Sequence, residues 1–103
     1  MTMGFKTSER KALVKCHLIL MKEMPNIDKL FDFMYQSETL HPNQIEDLMD
    51  IECKVTQKRV FLICALRRAL VPDPFNVFCN ALEYAGKAHL SKKLKEMEKS
   101  FSD

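Results

Sequence analysis

Apolar residues recur three and four positions apart along nearly the whole chain, and the period-two alternation of a strand is missing. The pattern predicts short amphipathic helices throughout. A first helix should open near Thr7 or Ser8, either of which can cap free N–H groups, with Glu9 in the first turn. Leu13, Cys16, His17, Leu20 and Met24 then share one face, and Pro25 ends it. A helix that long in so small a chain is expected to bend. Asn26 is a natural cap for a second helix, which buries Ile27, Leu30, Phe31 and Met34 and runs to about Ser37. A third, short helix opens at Pro42 and carries Ile45, Leu48 and Met49 on its apolar side.

The fourth helix should open at Thr56 or just before it and reach Leu70. It is apolar around most of its circumference, as expected of the element at the centre of a bundle. Phe61 points away from its Val55/Leu62/Leu66 stripe, which leaves open whether that ring is exposed or covered by the first helix. Val71-Pro72 breaks the helix, because a residue before proline is driven from the helical region. Asp73 as cap and Pro74 at the first helical position open a fifth helix, and Gly86 closes it. A sixth runs from about Ala88 to Lys99. Six short helices with brief loops make an all-α, compact antiparallel bundle, a single domain over residues 1–103.

Composition narrows the class. A hydrophobic share of 47% with 29% charged residues belongs to a globular domain with its own core, not to a disordered chain. The longest uncharged apolar run, "VFLICAL", is far short of the roughly 20 residues needed to cross a bilayer. The N-terminal "MTMGFKTSERK" lacks the apolar core of a signal peptide, and Thr2 holds the place that N-myristoylation requires for glycine. Cys16, Cys64 and Cys79 lie among aliphatic residues, and no C-x-x-C involves these or Cys53. The spacing of the cysteines with His17, His41 and His89 does not support a zinc site. A reduced, cytoplasmic protein is the expectation. With no glycine-rich phosphate loop and no QACxG nucleophile motif, no enzyme activity, cofactor or metal is expected.

The charges are sorted by helix, although the net charge is only +2. Lys11 and Lys15 are four apart on the first helix, with Lys22 on the same stripe; Lys54 and Lys58 repeat the spacing on the fourth, with Arg59 beside them. The second helix carries Asp28 and Asp32, and the third Glu46 and Asp50 with Asp47 nearby. Like charges at this spacing weaken an isolated helix by a few tenths of a kcal/mol, about 0.2–0.5 per pair. Their recurrence points to a bipolar domain whose basic face docks on another molecule's acidic face; the plain alternative is solvated helix surface. Complementary charge steers encounter and fixes register. Two different patches on one molecule make a contact that can propagate.

In order and spacing, "ERKALVKCHLILMKEM", "IDKLFDFM", "LHPNQIEDLMD", "TQKRVFLICALRR" and "PFNVFCNALEYAGKAHLSKKL" resemble a caspase recruitment domain (CARD) of the death-fold superfamily. The likeness covers about residues 8–97 and is nearest to initiator-caspase prodomains and the apoptosome-scaffold CARD. It implies a six-helix Greek-key bundle with a kinked first helix, and homotypic CARD–CARD binding in apoptotic or inflammatory signalling. Carried over by position, the basic face is Arg10, Lys11, Lys15, Lys58 and Arg59. The acidic face is Asp28, Asp32, Glu46 and Asp47, which Asp50 extends. Two departures stand out: the turn after the fourth helix, "RRALVPDP", lacks the usual arginine-glycine, and His17 stands where the prodomains tend to have arginine. The partner implied is another CARD-containing protein, an initiator caspase or a scaffold, with self-association as a further mode; nucleic acid and membrane are not expected. A CARD-only regulator that caps such assemblies is the nearest alternative. A small helical nucleic-acid binder and a purely structural bundle are the more distant ones.

Overall fold

Cys16 is where the first long helix bends. Its φ and ψ of −93° and 3° separate α1 (Thr7–Lys15) from α2 (His17–Glu23). Hydrogen bonds still run through the joint, from the Cys16 N–H to the Ala12 carbonyl and from the Leu20 N–H to the Cys16 carbonyl, both 2.9 Å. The expected bend is therefore present. The computed structural model describes residues 5–24, 27–69 and 71–102. The expected stop at Pro25, cap at Asn26 and helix end at Leu70 lie outside those residues. Beyond α2 come α3 (Ile27–Gln36), α4 (Pro42–Met49), α5 (Lys54–Val60), α6 (Pro74–Tyr84) and α7 (Ala88–Phe101). Among the described residues these seven helices are joined by no strand. A radius of gyration of 12.7 Å matches the roughly 13 Å of a compact 100-residue domain.

Neither Thr7 nor Ser8 caps the first helix, whose N-cap is Lys6. The Lys6 N–H donates to Oε1 of Glu9 at 2.8 Å, while the Ser8 hydroxyl donates to Oε2 of Glu98 at 2.7 Å and ties α1 to α7. Helix α4 opens at Pro42 as expected, with His41 as cap: the Asn43 N–H donates to His41 Nδ1, and the His41 N–H to Gln44 Oε1. The Asp73 carboxylate accepts from the Asn76 N–H ahead of α6. Gly86, at φ 85°, ends α6, with the Lys87 N–H donating to the Leu82 carbonyl and its own N–H to that of Glu83. The same two-bond cap closes α3 around Glu38, whose φ of 57° puts a side-chain-bearing residue in the left-handed region.

The fourth predicted helix departs from regularity. After α5 the chain makes a π turn over Phe61–Ala65 and a 3-10 turn over Leu66–Arg68, so the α-helix does not continue to the expected end. Gln57 and Leu66 would fall on opposite sides of a regular α-helix, with its period of about 3.6 residues. The wider π turn, which pairs i with i+5, holds the later residues back and keeps both inside. It also settles Phe61, which is buried between Phe31 and Phe78 with ring centroids 5.6 and 5.8 Å away. Val55, Ile63 and Cys64 are left on the outside. The expectations that Val55 belongs to the core stripe and that the Cys64 thiol acts as a buried small hydrophobe are thereby corrected, as is the burial of this helix over most of its circumference. Met49 is exposed too, because Ile45 and Leu48 already fill the inner side of α4.

Helix α7 packs on α1 and α6, α6 on α3, α4 on both α3 and α5, and α2 on α5. The last helix runs two residues past the expected Lys99. Gln57, buried, donates from Nε2 to the Leu48 carbonyl at 2.9 Å and fastens α5 to the end of α4. This frame leaves the outer flanks of α1–α2 and of α5 beside each other, and α3 with α4 on an adjoining side.

Candidate interaction surfaces

A groove runs between α2 and α5. Lys22 comes from α2, and Lys54, Lys58 and Arg59 from α5, around Leu18, Met21 and Val55. The like-charged spacing on α5 sets its cations along one outer flank, and packing of α2 on α5 adds Lys22 to them. Lys58 is half-buried, with its ammonium 3.4 Å from the Met24 carbonyl, so its stem lies against the joint between the two helices. Arg59 is exposed. The sequence-predicted basic face is thus only partly gathered: Lys58 and Arg59 stand together, while Arg10, Lys11 and Lys15 sit on α1 outside this groove. Lys11 turns toward the other flank, its ammonium 5.8 Å from the centre of the Phe101 ring.

A second groove adjoins the first and shares His17 and Leu18 with it. Leu13, Val14, Leu62, Ile63 and Arg67 complete its lining. Together they form one continuous surface with an apolar floor and cations along its length.

On the acidic side, Asp32 of α3 and Glu46, Asp47 and Asp50 of α4 and its cap are exposed. Among the described residues, none of these four makes an ion pair within 4.0 Å; Glu83 pairs with Lys95 at 3.5 Å, and Glu23 hydrogen-bonds the His89 ring at 3.3 Å. Asp28 is placed differently. It opens α3 and borders a groove with Lys22, Lys54, Lys58 and Lys87, so the acidic and basic surfaces meet there. Asp47 faces another hollow, lined also by Gln44, Ile51, Cys64 and Arg68. Lys54 and Lys22 were visible in the sequence as spaced charges. Lys87 and Arg67 were not, since only the packing of distant segments brings them to these grooves.

The cysteines divide into two inert and two accessible thiols. Burial pushes Cys79 up to about 11, and burial also raises Cys16. Cys53 is exposed at the N-cap of α5, where the Thr56 hydroxyl and the first free N–H groups lower its pKa without closing a capping hydrogen bond. Among the described residues no group of three or more His, Cys, Asp and Glu side chains could hold a metal ion. Among them, too, no helix is long and apolar enough to cross a membrane. Compared with models of protein families, with curated proteins and with solved structures, the chain gives no match.

Proposed function

We propose that this chain is a homotypic interaction domain of the CARD kind, a death-fold bundle of six helices in Greek-key order when α1 and α2 are taken as one bent helix. It brings caspase-type or scaffold proteins together in the cytoplasm by setting the basic surface of one molecule on the acidic surface of the next. The reading rests on one observation: Lys22, Lys54, Lys58 and Arg59 line one groove, while Asp32, Glu46, Asp47 and Asp50 lie exposed on α3 and α4 with no cation paired to them among the described residues. Exposed charge left unneutralised at that density costs self-repulsion within each helix and is offset when a complementary surface arrives. The role is non-catalytic: the domain supplies location and geometry, and any proteolysis belongs to a partner or to another domain.

Sedimentation velocity at two salt concentrations tests it. The screening length falls from about 10 Å at 0.1 M to about 3 Å at 1 M. Association at the lower salt should weaken at the higher and disappear in Lys58→Glu/Arg59→Glu. An association indifferent to both changes would overturn the reading.

A further inference from the structure

The apolar half of the basic groove is unexplained by charge docking alone. Leu18 is 83% exposed at the point where the two adjoining grooves meet, and Val14, Val55 and Ile63 are exposed around it. Apolar side chains gathered on one concave surface and rimmed by cations are a docking site more often than idle surface. Val14 and Leu18, four apart, come from α1 and α2, and Ile63 comes from the π turn. The groove therefore asks for an occupant with an apolar knob and flanking negative charge.

The chain itself carries such a knob. Met49, 58% exposed, sits at the end of α4 with Glu46 one turn before it and Asp50 next to it. Helix α4 holds no basic residue. A methionine is unbranched and adapts to an irregular hollow. We propose that Met49 of a second copy of this chain seats in the groove beside Leu18 and Val55, with Glu46 and Asp50 of that copy against Lys22, Lys54 and Lys58. This rests on the head-to-tail association proposed above and adds what holds it: the charges steer and orient, and burial of the methionine against the leucine adds affinity. Groove and knob lie on different surfaces of one molecule, so the contact leaves a free groove and a free knob at the two ends of a pair.

Sedimentation and cross-linking separate this contact from charge docking in general. Leu18→Ser and Met49→Ser should each weaken low-salt association roughly 10- to 100-fold, the loss expected when one large apolar side chain is no longer buried. Combining them in one chain should cost little more than either alone, since both remove one contact. Their melting curves should match the wild type, as both side chains are exposed. In a Cys53→Ser/Cys64→Ser background, mixing Leu18→Cys protein with Met49→Cys protein under mild oxidation should give a disulfide-linked pair. If Lys58→Glu weakens association while Leu18→Ser and Met49→Ser leave it intact, the apolar seat is wrong and charge docking stands. If Leu18→Cys links to Tyr35→Cys in place of Met49→Cys, the groove is occupied by α3 and the assignment to Met49 fails. A wild type that stays monomeric at every salt concentration overturns both this contact and the self-association beneath it.

Discussion

Replacing Phe61 by alanine should come close to unfolding the domain. The ring has no exposed surface and packs edge-on against Phe31 and Phe78. Truncating a buried phenylalanine to alanine costs about 3–5 kcal/mol. A domain of this size holds about 5–15 kcal/mol in all. With about 4–8 °C lost per kcal/mol, the melting point should fall by on the order of 20 °C. Val55→Ala, at a residue 53% exposed, should cost under about 0.5 kcal/mol. The chain has no tryptophan, so the assay is far-UV circular dichroism through heat and urea. Phe61→Leu serves as the milder partner should the alanine variant fail to fold, with a smaller loss than alanine but still above that of Val55→Ala. Equal losses at Phe61 and Val55, or a Phe61→Ala cost under about 1 kcal/mol, would refute the reasoning: the π turn would then not set the register of the segment after α5.

Other outcomes follow from local geometry. Glu38→Gly should stabilise the fold by up to about 1 kcal/mol in urea titration, because glycine takes the left-handed conformation without the steric cost borne by a side chain. The Ser91 hydroxyl, which donates to Glu83 at 2.8 Å, lowers the Glu83 pKa, with Lys95 helping. A carboxyl with a depressed folded pKa stabilises above its unfolded value of 4.5 and loses that contribution as pH falls through the folded pKa. Melting point against pH should therefore drop less steeply on the acid side in Ser91→Ala than in the wild type. Cys53 should react with iodoacetamide at neutral pH well before Cys79, as peptide mapping after brief labelling would show; equal rates would contradict the lowered pKa at the α5 cap.

Much of the helix order was legible because it rests on local rules. Pro42, Asp73, Pro74 and Gly86 act through their own backbone preferences, and the structure puts each where those preferences send it. Ile27, Leu30, Phe31 and Met34 announce a buried face by spacing alone. The rest depended on packing. No local signal reveals that the chain widens into a π turn at Phe61, so a regular period grouped Val55 with the buried Leu62 and Leu66. Glu38 ends α3 without glycine, where the Glu38 and Thr39 N–H groups bond the Tyr35 and Met34 carbonyls, and Lys6 precedes α1 with its N–H held by the Glu9 carboxylate. Of the candidate site, the like-charged pairs could be read directly. The turning of Lys11 toward Phe101 and the meeting of Asp28 with Lys22 and Lys54 required the third dimension.

The bipolar contact is tested most directly by mixing two crippled molecules. A basic-face variant, Lys54→Ala/Lys58→Ala, and an acidic-face variant, Asp32→Ala/Glu46→Ala, are each followed alone and then together by light scattering at low salt. The account predicts that each stays monomeric alone, since its remaining face meets only a neutralised one. Mixed, they should form a pair and nothing larger, through the one intact basic groove and the one intact acidic surface. Association by either variant alone at the wild-type level, or no pair on mixing while the wild type assembles, would contradict it.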